Sequence, residues 1–140
     1  MSFVIVFRVD GDPRGKGRPR FRKIGNIVSP YTDSKTRAYE SAIQIAAKNA
    51  MGSGIPLEGP VSVDLYIRCS VPVSYPKKRQ KACYENTEMP TKKPDIDNTI
   101  KAYLDAMNGI IYKDDIQVVK VTAKKAYSIV PGVDVCVVQI

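Results

Sequence analysis

The sequence predicts an α/β fold of the α+β type: a single domain over residues 1–140, with a mixed sheet of about four main strands and two principal helices. A chain of 140 residues is long enough to bury one ordinary hydrophobic core and too short for two. Apolar residues recur with helical spacing in two segments, and in others they alternate with polar residues or run together. Glycine and proline residues typical of turns separate these segments.

The first half of the chain predicts a strand, a hairpin and a helix, in that order. Residues 3–9 form the first strand, and a turn follows at residues 10–13. Residues 21–28 form a short hairpin closed by Gly25 and Asn26, a pair suited to the positive φ angles of tight turns. The helix runs from residue 33 to about residue 51, with Thr32, Asp33 or Ser34 as its N-cap and Gly52 after its end. Its buried face is expected to carry Ala38, Ala42, Ile45, Ala46 and Ala50.

The second half predicts three more strands and the second principal helix. Residues 61–68 form a half-buried strand, with Val61, Val63, Leu65 and Ile67 on its buried side. Residues 72–94 are a long basic segment in which residues 77–84 form a short helical stretch. The second principal helix runs from about residue 97 to residue 108 and ends at Gly109. Residues 116–127 and 133–140 form the last strands, with a type II turn at Pro131 and Gly132 between them.

The composition restricts the possible functions. A formal net charge of +8 favours a polyanionic partner, most often nucleic acid. The chain has no histidine, which excludes Ser-His-Asp and Cys-His nucleophile systems and histidine-ligated zinc. Cys69, Cys83 and Cys136 are isolated in sequence, so free thiols are expected. No signal peptide or apolar run of the ~20 residues of a membrane span is present, so the prediction is a cytoplasmic protein without a membrane partner.

Carboxylates flank the second principal helix at both ends. Asp95 and Asp97 stand at its N-terminus with alternate spacing, so that both can point the same way. Asp114 and Asp115 precede a strand that is expected to return beside this helix, which brings a third carboxylate near the first two. On the helix itself, a polar stripe of Asp97, Lys101, Asp105 and Asn108 lies beside an apolar stripe of Ile96, Ile100, Tyr103 and Met107 that is expected to face the core.

Such a carboxylate cluster repels itself unless a cation lies among its members, and carboxylate oxygens with open water positions suit Mg²⁺ or Mn²⁺. A metal there neutralises a scissile phosphate and activates water, and Lys101 is placed to contact the phosphate. Simpler interpretations also exist: Asp95 or Asp97 as a helix cap, Asp97, Lys101 and Asp105 as surface ion pairs, and Asp114-Asp115 as a turn. Their joint occurrence in a basic protein favours the metal site.

The segment Lys93-Pro94-Asp95-Ile96-Asp97-Asn98, followed by a helix with Lys101 and Asp105 and then by Asp114-Asp115-Ile116-Gln117-Val118, resembles the signature of RusA-type Holliday junction resolvases. Upstream, Lys16-Gly17-Arg18-Pro19-Arg20-Phe21 matches a pattern common in phage and Firmicute-like members of that family. The resemblance departs at Pro94, where some members carry a basic residue. Lys93 is the nearest substitute for it.

The resemblance implies a small RusA-like homodimer that binds four-way junctions and makes symmetric paired nicks with Mg²⁺, or with Mn²⁺ in its place, during DNA recombination and repair. It implies a nucleoid location when DNA is bound. By motif position, Asp95, Asp97 and Asp115 correspond to the essential metal-site carboxylates and Lys101 to the catalytic lysine. Asp114 corresponds to a further acid at the metal, and Asp105 and Asn98 are supporting residues.

Two basic segments form the predicted DNA-binding surface. Its residues are Arg14, Lys16, Arg18, Arg20, Lys77, Lys78, Arg79, Lys92 and Lys93. Tyr75 or Tyr84 is a candidate for stacking on an unpaired base. Solvated charged loops are the simpler interpretation of both segments. Two other functions stay open: a non-catalytic basic nucleic-acid-binding module, and a metal nuclease that acts on flaps or other branched DNA.

Overall fold

The computed structural model describes residues 3–17, 20–31 and 33–140. Arg18 and the alternative cap Thr32 lie outside the described residues, as does the side chain of Arg20. In chain order the elements are β1 (Val4–Asp10), β2 (Arg20–Ile24), β3 (Ile27–Tyr31), α1 (Ser34–Met51), β4 (Val61–Cys69), α2 (Lys77–Tyr84), α3 (Ile96–Ala106), a 3₁₀ turn (Asp115–Gln117), β5 (Val118–Tyr127) and β6 (Gly132–Gln139). The α+β prediction is confirmed, with α2 as a third, shorter helix.

The main sheet is mixed, and β4 lies at its centre. Its strand order is β1-β6-β4-β5, with β4 antiparallel to β6 and parallel to β5. The predicted inner side of β4, Val61 to Ile67 at alternate positions, is buried. Burial of each such aliphatic side chain contributes roughly 1.5–3 kcal/mol. A strand with neighbours on both sides and a buried face therefore anchors the core.

The parallel pairing of β4 with β5 fixes the direction of α3. The chain leaves β4 at its carboxyl end, passes through α2 and α3, and re-enters the sheet at the amino end of β5. In such a crossover the helix runs antiparallel to the strands. The N-terminus of α3 therefore lies at the carboxyl ends of β4 and β5, and its C-terminus lies at the opposite end of the sheet.

Helix α1 confirms the predicted bounds and cap but only part of the predicted face, since Ala46 and Ala50 are half-buried against the core. Asp33 is the N-cap, and its carboxylate accepts a hydrogen bond from the Thr36 amide at 2.8 Å. The buried residues are Thr36, Ile43 and Ala47, whereas the predicted Ala38, Ala42 and Ile45 are exposed. Alanine carries little hydrophobic signal and is tolerated on either side of a helix, so the larger Ile43 and its neighbours one turn away determine the packed face.

Helix α3 packs against α1 through two tyrosines. The hydroxyl groups of Tyr39 and Tyr103 lie 2.6 Å apart, and the rings meet edge to face. Ala102 and Ala106 are only 1% and 4% exposed, so they contact the rest of the chain and are not available to a second copy. Tyr103 and Met107 face the core as predicted, whereas Ile96, at the first turn, stays 37% exposed.

The predicted type II turn at Pro131 and Gly132 is wrong. Gly132 is the first residue of β6 and pairs with Asp10 of β1 and Arg68 of β4, and the glycines with positive φ do not include it. A Cβ on Gly132 would lie 2.9 Å from the Val9 carbonyl oxygen. This glycine is therefore required by the close approach of neighbouring backbone and not by a turn.

The remaining elements agree with the sequence. Helix α2 has the predicted bounds, the β2–β3 hairpin turns at Gly25 and Asn26, and all three cysteines are free thiols. Within the described residues, every helix is too short or too polar to cross a lipid bilayer.

Candidate nuclease site at the two ends of helix α3

Asp95 and Asp97, here called the N-terminal pair, lie at the start of α3. Asp95 occupies the N-cap position, but its side chain makes no capping hydrogen bond. Instead, the amide of the Asn98 side chain donates to the Asp95 carboxylate at 2.7 Å. This hydrogen bond is the largest cause that holds the pKa of Asp95 below its ordinary value. Both carboxylates are exposed, so the helix cap does not account for either of them.

Asp105, Asp114 and Asp115, here called the C-terminal cluster, lie at the other end of α3. Burial and the neighbouring Asp114 carboxyl group raise the pKa of Asp115, although Asn108 opposes that rise with a hydrogen bond. Asp114 caps the following 3₁₀ turn by accepting from the Ile116 amide at 3.1 Å. The turn interpretation is thus confirmed for Asp114, and the Asp115 side chain is left in a region of excess negative charge.

The two acidic ends are separated by the helix between them. A helix rises about 1.5 Å per residue, so Asp97 and Asp105 are about 12 Å apart along the axis. In the described parts of a single chain, no group of three or more acidic or cysteine side chains is close enough to hold a metal ion. The expectation that β5 brings Asp115 back to the N-terminal pair within one chain is therefore wrong. Because α3 runs antiparallel to β5, the residues before α3 (Asp95) and before β5 (Asp115) lie at opposite ends of the sheet.

Lys16 joins the first basic segment to the C-terminal cluster. Its ammonium group donates to the Asp105 carboxylate at 2.8 Å and lies 3.5 Å from Glu40 of α1. The Asp105 hydrogen bond raises the pKa of Lys16. Among the described ion pairs none joins Asp97 to Lys101, and Asp105 is paired with Lys16, so the interpretation of these residues as ion pairs along α3 does not hold. Lys101 is exposed one turn after Asp97.

A concavity of about 870 Å³ lies beside the N-terminal pair. Asp95 and Asn98 form part of its lining, and the basic residues Arg14, Lys16, Lys92, Lys93 and Lys125 line it as well. The segment before β2 is held against α3, because the Lys16 amide donates to the Asn98 carbonyl at 3.0 Å. A Cβ on Gly15 would lie 2.9 Å from the Asn98 Cβ. Glycine at this position therefore allows the basic segment to form one wall of the concavity.

Lys125 is the site residue that sequence reasoning missed. Its ammonium group donates to the Lys92 carbonyl at 2.8 Å, and its charge contributes to the low pKa of Asp95. The sequence alone gave no signal for it, because its position beside Asp95 depends on the parallel pairing of β4 with β5. A lysine near the carboxyl end of a parallel strand lies at the end of the sheet where the next helix of a βαβ unit begins.

The segment from α2 to Pro94 carries two kinds of basic side chain: some are exposed, and others contact residues of the same segment. Lys77 and Lys78 are exposed on α2. The Arg79 side chain donates to both Glu88 carboxylate oxygens, at 3.0 and 3.2 Å, and covers the Tyr75 ring at 3.6 Å. The Lys92 ammonium lies 4.8 Å from the same ring. Tyr75 is thus buried between two cations and cannot stack on a base, whereas Tyr84 is 43% exposed.

Comparison with known proteins gives two findings. The family model described as endodeoxyribonuclease RusA matches residues 10–138. A protein of Bacillus subtilis (strain 168), named "Uncharacterized protein YqaN", is 35% identical over 138 residues, which cover 97% of this chain and 96% of that protein. The matched region includes both ends of α3, the concavity and both basic segments.

Proposed function

We propose, from the premise that this chain belongs to the RusA family of endodeoxyribonucleases, that it resolves four-way DNA junctions by two symmetric, Mg²⁺-dependent nicks in recombination and repair. The chain is an endodeoxyribonuclease, so the alternative of a non-catalytic basic module is set aside. The observation that carries the proposal is the exposed N-terminal pair at the edge of a concavity lined with basic residues. A DNA substrate is also the reason to propose a cytoplasmic, nucleoid-associated location.

The residues at the concavity suit distinct tasks. Asp95 and Asp97 supply oxygen ligands, and Asn98 fixes the orientation of the Asp95 carboxylate. When bound, Mg²⁺ neutralises charge on the scissile phosphate and lowers the pKa of the attacking water, and Mn²⁺ is expected to substitute. Lys101 contacts the phosphate and stabilises the charge that builds up on its oxygens. Arg14, Lys92 and Lys93 bind flanking phosphates, and Lys77 and Lys78 extend this surface along the DNA. Arg18 and Arg20 are proposed as further phosphate-binding residues on the basis of the sequence alone.

The third carboxylate is proposed to come from a second copy of the chain. Strand β5 is an edge of the sheet with ten residues, so one side of its backbone has no partner strand among the described residues. Val119 on this strand is 63% exposed, and Ile116 just before it is 82% exposed. An edge of this length with exposed apolar side chains favours antiparallel pairing with the same strand of a second copy.

Pairing about a two-fold axis at Val121 has a direct consequence for the acids. Residue 115 stands six positions before Val121 and is set opposite the partner's residue 127, six positions after it. Lys125 lies two residues before residue 127, and its charge lowers the pKa of Asp95 within the same chain. The arrangement therefore sets Asp115 beside the partner's Asp95 and the partner's Asp97, and makes two equivalent sites. Two sites related by a two-fold axis suit paired nicks in a four-way junction.

Mixing two inactive variants tests the shared site. In a shared site, a heterodimer of Asp97→Asn with Asp115→Asn has one site with both changes and one site with neither. An equimolar mixture that exchanges subunits should contain about half heterodimers, so about a quarter of all sites should be restored. Single-strand nicking of a junction measures this directly. A mixture as inactive as its components would place each site within one chain and contradict the dimer.

A substrate panel tests the activity itself. Equal amounts of four-way junction, flap and linear duplex are incubated with the protein in Mg²⁺, in Mn²⁺ and in chelator. Paired nicks at symmetric positions are expected in the junction alone and only with metal. Preferential cleavage of the flap would instead assign the enzyme to other branched DNA.

A further inference from the structure

The β2–β3 hairpin exposes apolar side chains that the proposed chemistry does not use. Its two strands pair only with each other and do not join the main sheet. Phe21, Ile24, Ile27 and Val28 are 68%, 63%, 71% and 60% exposed. An isolated two-stranded hairpin is marginally stable in water, and four large apolar side chains this exposed within eight residues are typical of a surface that is covered by a partner.

The hairpin has an apolar tip and cationic sides. Ile24 and Ile27 form the last cross-strand pair before the turn. Arg22, two residues before Ile24, lies on the same face as Ile24, and its guanidinium is 4.9 Å from the Tyr31 ring. Lys23 lies on the opposite face. Between Arg14 and Thr32 the sequence has no acidic residue. A strongly basic ribbon that ends in two exposed isoleucines therefore projects from the domain.

The base of the hairpin lies at the concavity. Gly17 before β2 and Asp33 after β3 both line the space beside Asp95. Five residues of strand at about 3.3 Å each place the tip about 17 Å from the base, which equals about five base-pair steps of duplex DNA at 3.4 Å each. If the scissile phosphate lies at the N-terminal pair, the tip of the hairpin would contact the DNA within half a turn of the duplex.

The charge of the hairpin selects its partner. A contact between the hairpins of two copies would bring Arg22 and Lys23 against the same cations of the second hairpin, whereas DNA phosphates attract both side chains. Apolar side chains contact DNA by inserting between unstacked bases, and base pairs at a branch point are the most easily unstacked. A cationic ribbon with an apolar tip is suited to that feature of the substrate.

We propose that the β2–β3 hairpin is a wedge for branched DNA: Ile24 and Ile27 pack against unstacked bases at the branch point, while Arg22 and Lys23 bind the phosphates on either side. The wedge rests on the proposed junction substrate. The wedge adds a preference for branched DNA over linear duplex. The carboxylates cannot supply this preference, because a metal bound to them can contact a phosphate of either kind of DNA.

The test uses a four-way junction with 2-aminopurine at the branch point, in chelator so that no cleavage occurs. Wild-type binding should raise the fluorescence, since 2-aminopurine brightens when it unstacks. The double variant Ile24→Thr/Ile27→Thr keeps β-branched residues in the hairpin and should lose most of the rise at saturation. With Mg²⁺ it should cut the junction at least ~10-fold more slowly. Ile55→Thr, a change of another exposed isoleucine outside the hairpin, is the matched control and should behave as wild type.

Arg22→Gln/Lys23→Gln separates the two parts of the wedge. It should weaken junction binding and lower its log-log salt slope by about two units, one for each phosphate contact, and leave the fluorescence rise at saturation unchanged. A full rise with the isoleucine double variant, or no rise with wild type, overturns the wedge. So does a change of oligomeric state in that variant, which would assign the tip to a second copy. The fluorescence and binding measurements need no metal, so they stay informative if the substrate panel shows no cleavage.

Discussion

The two ends of α3 carry the same kind of side chain in opposite electrostatic surroundings. At the N-terminal pair, the hydrogen bond from Asn98, with the charge of Lys125 nearby, lowers the pKa of Asp95. At the C-terminal cluster, burial and the neighbouring Asp114 raise the pKa of Asp115. The first carboxylate already has the partners that stabilise its charge, and the second lacks them. The C-terminal cluster therefore gains most from an added cation, and Asp95 of the N-terminal pair lines the concavity in which we propose that DNA binds.

The largest expected effect comes from removing one charge of the N-terminal pair. Asp97→Asn should reduce junction cleavage by at least ~1000-fold, because the proposed metal site would lose one of its ligands. Junction binding should be unchanged or tighter, because the substitution removes a negative charge beside the phosphates. Cleavage rates with Mg²⁺ and binding in chelator measure the two effects separately.

Asp64→Asn is the matched control for that loss. Asp64 is an exposed acid on the outer side of β4, away from α3, and its replacement should leave both cleavage and binding at the wild-type level. If Asp97→Asn weakened binding and cleavage in parallel, its role would be structural and the N-terminal pair would not be the catalytic end.

Local features of this chain were predictable because they depend on neighbouring residues. The bounds of α2, the turn at Gly25 and Asn26, the Asp33 cap and the alternation along β4 were all confirmed. Each follows from a backbone preference or from a periodicity within about ten residues.

The features that were missed depend on how distant segments meet. The buried face of α1 was ambiguous because alanine is compatible with either side. Gly132 was assigned to a turn because its sequence neighbours show nothing of the Val9 carbonyl that approaches it. Asp115 was wrongly placed beside Asp95 because the parallel pairing of β4 and β5, which separates the two residues, joins segments that are distant in the sequence. For the candidate site, the sequence could therefore name candidate residues but could not show which of them lie close together.

In the metal-free protein, replacing an aspartate by asparagine should change Tm in opposite directions at the two ends of α3. The raised pKa of Asp115 means that ionisation disfavours the folded state, with a penalty that develops as the pH rises above the ordinary value of 3.8 and persists at pH 7. Asp115→Asn should therefore raise Tm at pH 7. The lowered pKa of Asp95 gives stability that is present above 3.8 and lost as the pH falls through the folded value. Asp95→Asn should lower Tm at pH 7.

Thermal unfolding in chelator at pH 7 and at pH 3 checks both signs, and both differences should shrink at pH 3. Added Mg²⁺ should then raise the Tm of the wild type by mass action and leave Asp115→Asn unchanged. Equal shifts of the same sign in the two variants would mean that the ends of α3 do not differ electrostatically.

The smallest effect concerns two lysines that line the same concavity. Lys93 is exposed beside the N-terminal pair, whereas the Lys16 ammonium is held by Asp105 and Glu40. Only a cation that neutralises a phosphate contributes to the salt dependence of binding, by about 0.9 units of log-log slope for each contact on duplex DNA. Lys93→Ala should therefore lower the slope by about one unit, and Lys16→Ala should leave it unchanged. A lower slope with Lys16→Ala would mean that DNA displaces Asp105, and the C-terminal cluster would then gain a free carboxylate each time the enzyme binds its substrate.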